Sequence, residues 1–134
     1  NRKRTIEKFR SSPLTQEINL SISSFEEKFL ENTIEIVKKN IEDPEFDVKQ
    51  LIEEMQVSNS MLYRKLKALT NLSPNEFIRN IRLKTATELL RQKKGNISEI
   101  AYQVGFKDAR YFSVCFKKEF NMTPSEYMEK SQSI

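Results

Sequence analysis

Histidine and tryptophan are absent from the 134 residues, and cysteine occurs once, as Cys115. Without an imidazole, neither a Ser-His nor a Cys-His pair can activate a nucleophile. A single thiol with no imidazole leaves a zinc site short of its soft ligands and makes an internal disulfide impossible. Gly95 and Gly105 are the two glycines, too few for a loop that cradles phosphate. With four prolines beside them, the chain is also poor in the turn residues that a β-sandwich needs. The carboxylates are scattered along helical segments, so an enzyme is the least supported class, and neither a metal nor a cofactor is expected.

Long apolar runs are missing too: no stretch approaches the eighteen or so residues of a membrane span. The opening Asn1-Arg2-Lys3-Arg4 has neither an initiator methionine nor the apolar centre of a signal peptide. The expectation is a piece of a longer protein working in the reducing cytoplasm, with no membrane contact of its own, although its full-length parent is open to a membrane anchor.

What the chain does have is charge and helical periodicity. Its hydrophobic share of 37% against 31% charged residues fits a helical globule with one main core. The net charge of +4 is modest, but it is unevenly spread. Residues 1–43 carry eight Lys/Arg against eight Asp/Glu, whereas residues 59–94 carry nine against two. That cationic stretch is the candidate binding surface.

Residues 1–24 mix charge with serines and show no sustained apolar period, which reads as an arm from an upstream domain. From Phe25, the apolar positions Leu30, Ile34, Val37 and Ile41 line one face of a helix that Asp43-Pro44 closes. Val48, Leu51, Ile52 and Met55 form a short inward stripe behind the cap Asp47, and Leu62, Leu66 and Leu69 form another behind the cap Ser58. Ser73-Pro74-Asn75-Glu76 has the form of a capping box and opens a long helix expected to run to about Lys94, with Gly95 as its stop. At 1.5 Å per residue that helix is roughly 30 Å long.

The chain then repeats itself. Ile97, Ile100, Ala101 and Val104 match Val48, Leu51, Ile52 and Met55 at a shift of 49, with Asn96 and Glu99 as the new cap. Beyond the turn the shift is 50, pairing Leu62 with Phe112, Leu66 with Phe116 and Asn71 with Asn121. LTNLSPNEF and EFNMTPSEY each end one helix and open another with Ser/Thr-Pro-x-Glu. Two copies of a helix-turn-helix unit joined by the long helix account for the pattern. At helical spacing, Phe106, Tyr111, Phe112, Phe116 and Phe120 are assigned to packing rather than to base stacking, and Cys115 to the inner side of its helix.

In each copy the second helix has a face that is not apolar: Ser60, Arg64 and Lys67 in the first, Ala109, Arg110, Ser113 and Lys117 in the second. A helix fits the major groove of B-DNA, where arginine donates two hydrogen bonds to guanine. Reading helices held apart by roughly 30 Å of linker would meet grooves about one duplex turn, or 34–36 Å, from each other. Lys65, Arg79, Arg82, Lys84 and Arg91 are better placed for phosphates than for bases, and the helix starts at Ser73 and Thr123 add backbone donors.

These same residues also carry a family likeness. SNSMLYRKLKALTNLSPNEFIRNIRLKTATELL followed by NISEIAYQVGFKDARYFSVCFKKEFNMTPSEY resembles the AraC/XylS family of transcription regulators, over residues 26–130. The resemblance implies an all-α, seven-helix domain over residues 25–134, with two helix-turn-helix subdomains (25–72 and 95–134) joined by a linker helix (73–94). Its third and sixth helices would enter the major groove. The segment SSPLTQEINLSISSFEEKFLENTIEIVKKNIEDPEFDV is similar to the output end of hybrid two-component sensors, where a receiver precedes this domain. The implied partners are promoter or operator duplex DNA, a second copy paired through the upstream domains, and RNA polymerase; activation is the family habit.

Family base contacts fall on positions matching Ser60, Arg64, Arg110 and Val114, and many relatives carry arginine where this chain has Val114. Together the readings give Ser60, Arg64, Lys67, Ala109, Arg110, Ser113 and Val114 as base contacts. Ser58, Asn59, Tyr63, Lys65, Ser73, Arg79, Arg82, Lys84, Lys107, Lys117 and Thr123 are the phosphate contacts. The competing reading is a helical protein-interaction module whose basic stretch meets an acidic partner.

Overall fold

The computed structural model describes residues 24–132, which form seven α-helices and, among the described residues, no strand. They are α1 (Ser24–Lys39), α2 (Val48–Met55), α3 (Asn59–Thr70), α4 (Pro74–Arg91), α5 (Ile97–Gln103), α6 (Ala109–Phe120) and α7 (Pro124–Gln132). This is the all-α, seven-helix fold that the periodicity and the family likeness predict. The arm expected over residues 1–24 lies outside the described residues apart from Ser24, which opens α1.

Most helix starts sit where a side chain can take an orphan backbone N–H. Asp47 accepts from the Gln50 amide at 3.1 Å and Ser58 from the Met61 amide at 3.0 Å. Three reciprocal boxes follow: Ser73 with Glu76, Asn96 with Glu99, and Thr123 with Glu126. Asp108 caps α6 by accepting from Arg110 at 2.7 Å, a cap that the sequence reading leaves unassigned. The Thr123 amide, and after it the Thr123 hydroxyl, hold the Glu126 carboxyl below the usual carboxylate range. That cap therefore stabilises α7 at neutral pH and is lost as pH falls through the lowered value.

Two boundaries differ from expectation. α1 stops at Lys39, so Ile41 leaves the helical face and packs into a second core; Phe29 and Thr33 complete the α1 stripe instead. α4 stops at Arg91, and its terminator is Lys93 rather than Gly95. Lys93 takes the left-handed conformation (φ 54°), while the amides of Lys93 and Lys94 bond back to the Leu90 and Leu89 carbonyls at 3.2 and 3.0 Å. A Cβ in that region costs roughly 1–2 kcal/mol, and Lys93 is exposed. After allowing for glycine's greater chain entropy, Lys93→Gly is expected to stabilise by about 0.5–1 kcal/mol. Thermal unfolding checks this, and a lowered Tm would mean that the lysine side chain is stabilising.

The described helices belong to two compact units, one made of Ser24–Lys39 with Asp47–Ile78, the other of Asn40–Phe46 with residues 79–132. In the first, α1 packs on α2 and α3. Leu30, Val37, Leu51, Leu62, Leu66 and Phe77 are fully or almost fully buried, each worth roughly 1.5–3 kcal/mol of burial. Thr33 and Thr70 lie among them without cost, because their hydroxyls donate to the Phe29 and Leu66 carbonyls, each at 2.7 Å.

In the second unit, α5 and α7 pack on α6. Phenylalanines stand here where the first unit has leucines, and the rings of Phe106, Phe112, Phe116 and Phe120 run in edge or tilted contact with centroids 4.6–5.7 Å apart. Phe106, Phe112 and Phe116 are core and Phe120 packs against it, as expected, with Cys115 beside them.

A buried arginine organises one side of this unit. Arg82 is 6% exposed. Its Nη1 donates to the carbonyls of Ile41 (2.6 Å) and Val104 (2.8 Å), and its Nη2 to those of Asp43 (3.1 Å) and Phe46 (3.3 Å). Burial pulls the guanidinium pKa below its ordinary value, with Asp43 opposing, and the four carbonyls offset that desolvation. One of them belongs to the C-cap of α5, where the helix dipole is negative. Gly105, next to it, turns the chain at φ +88°. A Cβ there would overlap both Arg82 Nη1 and the Ile41 carbonyl oxygen, so glycine is required by space as well as by backbone angle. Gln56 holds the equivalent turn in the first unit, left-handed at φ 57°.

Candidate nucleic-acid interface

The inner face of α3 is fixed by Leu62, Leu66 and Thr70. Its 100° periodicity then leaves Asn59, Ser60, Tyr63, Arg64, Lys67 and Ala68 outward, all exposed. Arg64 and Lys67 lie three residues apart, so their charges share one face. Ser58 is exposed at the helix start, with its hydroxyl oxygen already accepting from Met61.

α6 repeats the arrangement within its own unit. Phe112 and Phe116 hold it to the core, and the buried Asn80 of α4 donates to Glu119 at 3.0 Å. Arg110, Tyr111, Val114, Lys117 and Lys118 are exposed, with Tyr111 at 52% and Val114 at 60%. Ala109 and Ser113 are half-buried, and Ala109 packs against the core, so the outward face is narrower than expected. Tyr111 is a correction: expected in the packing, it stands exposed, with a tilted contact to the Phe106 ring. Lys118 joins the outward face without having been expected there, although the spacing from Phe116 places it outside.

The expected phosphate contacts divide. Asn59, Tyr63 and Lys117 are exposed, and Arg79 and Lys84 are half-buried along α4. Lys107 is exposed but pairs with Glu45 at 2.7 Å. Lys65 is half-buried, with Glu26 at 3.9 Å and the Phe25 ring 5.3 Å beneath its ammonium, so its charge is partly answered within the unit. Arg82 is a correction: its guanidinium is enclosed by four backbone carbonyls and cannot reach a phosphate. Ser73 and Thr123 are corrected as backbone donors, since their amides already bond Glu76 and Glu126 at 2.9 and 2.8 Å. Each box also puts a carboxylate where an anion would have to sit.

Among the described residues, no group of His, Cys, Asp and Glu could hold a metal ion, and no helix is long and apolar enough to cross a membrane.

A family model described as a helix-turn-helix domain matches residues 51–130, more than half of the chain. The chain is 46% identical over 130 residues to histidine kinase P4 of Formosa agariphila, covering 97% of this chain and 10% of that protein. It is 38% identical over 74 residues to the HTH-type transcriptional activator RhaS of Escherichia coli, covering 55% of this chain and 27% of that one. The chain thus spans a small part of both relatives. Among solved structures, it is similar to the C-terminal domain of AraT, a response regulator from Geobacillus stearothermophilus (TM-score 0.67, 28% identity, 75% of this chain and 83% of that one). It is equally similar to a Chromobacterium violaceum transcriptional regulator described as containing an AraC-type DNA-binding domain (TM-score 0.69, 27% identity, 74% and 88%). Two helix-turn-helix units, each presenting a cationic second helix, and these matches together make the chain a member of the AraC-type helix-turn-helix family, DNA-binding domains of transcription regulators that are not enzymes.

Proposed function

We propose that this chain reads double-stranded DNA sequence-specifically, with α3 and α6 each entering a major groove and the two grooves following one another along the duplex. One observation carries the reading: in each unit, the helix packed by its inner face turns arginine and lysine outward, Arg64 with Lys67 on α3 and Arg110 with Lys117 on α6. Arginine can donate two hydrogen bonds at once to a guanine edge, Lys67 can reach the same edge, and Lys117 is assigned to phosphate. Ser60, Arg64, Lys67, Arg110, Ser113 and Val114 are the proposed base-facing set.

The regulatory role we assign is activation, as the output end of a hybrid two-component protein in the cytoplasm. Two copies would pair through upstream domains and contact RNA polymerase. Support comes from the relatives: RhaS is named a transcriptional activator, histidine kinase P4 a kinase, and AraT a response regulator.

Selection of bound duplexes from a random pool tests the reading. The expected result is a motif with two parts about 10–10.5 base pairs apart. Enrichment of a single part would remove one of the two reading helices. No affinity for duplex at low salt, with binding to an acidic protein instead, would replace the proposal by a protein-interaction module. On the selected site, Arg64→Ala is expected to cost about 1–3 kcal/mol and to relax preference at one base pair. An equal loss on every sequence would make Arg64 a phosphate contact.

A further inference from the structure

Resting on that reading, we infer that Val114 is a specificity residue that recognises the 5-methyl group of a thymine beside the base pair read by Arg110. Val114 is 60% exposed on the outward face of α6 and lies outside the set of side chains packed against the core of its unit. Four residues separate it from Arg110, so the two side chains project from the same face about 6 Å apart along the helix axis. That distance is one to two base-pair steps at roughly 3.4 Å each. Tyr111, the other exposed apolar side chain of this helix, has a partner in the Phe106 ring, with centroids 6.0 Å apart. Val114 has none.

The internal repeat sharpens the point. At the shift of 50 that pairs Leu62 with Phe112, Arg110 stands opposite Ser60 and Val114 opposite Arg64. The two reading helices therefore carry arginine one turn apart: the first unit has it on its second turn, the second unit on its first. An isopropyl group at the edge of the major groove can neither donate nor accept a hydrogen bond. Only one base edge there offers it an apolar surface, the thymine methyl. Guanine, adenine and cytosine each present polar atoms that valine would desolvate without a partner. The second half-site should then combine a guanine with a neighbouring thymine, whereas the first is dominated by the guanine opposite Arg64.

Replacing thymine with deoxyuridine removes that methyl and leaves base pairing intact, which isolates the contact. The experiment takes the 134-residue chain and a duplex enriched from the random pool, exchanges each thymine of the second half-site singly for deoxyuridine, and follows affinity by fluorescence anisotropy. One exchange is expected to weaken binding about fourfold, the worth of one buried methyl-sized group. With Val114→Ala that sensitivity should fall away at the same position, and Val114→Arg should shift the preference there from T·A to G·C. Because Val114 is exposed, neither variant disturbs the core, and unchanged circular dichroism verifies this. Tight binding in which no deoxyuridine matters, or in which Val114→Ala keeps the full sensitivity, would overturn this inference alone. If no duplex is enriched or bound at low salt, the DNA-reading proposal falls and takes this one with it.

Discussion

Arg82→Ala is expected to destabilise the second unit by about 3–5 kcal/mol, a large part of the 5–15 kcal/mol that usually holds a domain together. The substitution removes no surface charge, since the guanidinium is enclosed. It deprives the carbonyls of Ile41, Asp43, Phe46 and Val104 of a donor, and leaves those that are buried paying for their own desolvation. It also opens the space the side chain filled. Urea unfolding measures the loss, and amide exchange should locate it in α5, α6 and the 40–46 connection. Arg82→Lys keeps the charge but cannot present two nitrogens to four acceptors, so it should recover only part of the difference. A loss under about 1 kcal/mol would mean that the guanidinium is normally solvated, and would restore Arg82 to the phosphate contacts. Gly105→Ala approaches the same spot from the other side. Its Cβ would meet the Ile41 carbonyl oxygen even after the arginine moved away, so Arg82→Ala should not rescue it.

Arg82 lies where spacing within one helix stops being informative. Ile78, Arg82, Ala86 and Leu90 are spaced four apart and fall on one stripe of α4, and the other three are buried. An apolar-periodicity count treats the arginine as a gap in that stripe and hands it to the surface. Its partners are backbone carbonyls from the 40–46 connection and the end of α5, which no spacing within α4 can reveal. Phe46 is invisible to helical spacing for a related reason, being buried from a turn rather than a helix. Lys93 and Gly95 show the limit of residue preferences: the two backbone bonds that close α4 outweighed the left-handed penalty on a lysine, and glycine was not the terminator.

The recognition faces, by contrast, were legible because they follow from local rules. Caps at Asp47, Ser58 and Asn96 fix where helices begin, and the inward leucines or phenylalanines fix their rotation. Once Leu62 and Leu66 face in, Arg64 and Lys67 must face out; Phe112 and Phe116 do the same for Arg110 and Lys117. What remained hidden was how far those charges are already answered. Lys65 with Glu26 and Lys107 with Glu45 are pairs between residues distant in the chain.

Those pairings bear on the salt dependence of duplex affinity, where the largest functional effect is expected. Each phosphate neutralised releases condensed counterions, giving a log-log slope of about −0.9 per contact. Five to nine contacts give a slope of roughly −4 to −8, a loss of about 10²- to 10⁵-fold between about 50 and 200 mM salt. With Arg82 enclosed, and with Lys65 and Lys107 already paired, the slope should lie at the shallow end of that range. Lys117→Ala removes an exposed cation from the α6 face, and should flatten the slope by about one and weaken selected and unselected duplexes alike. Val114→Ala should leave the slope untouched, since it carries no charge, while changing preference at one base. Glu45→Gln frees Lys107 from its carboxylate and should steepen the slope if that lysine then reaches phosphate. Titrations over a salt series separate these outcomes, because a base contact moves the intercept for one sequence whereas a phosphate contact moves the gradient for all. A gradient near zero would mean that the cationic faces of α3 and α6 do not lie against a duplex.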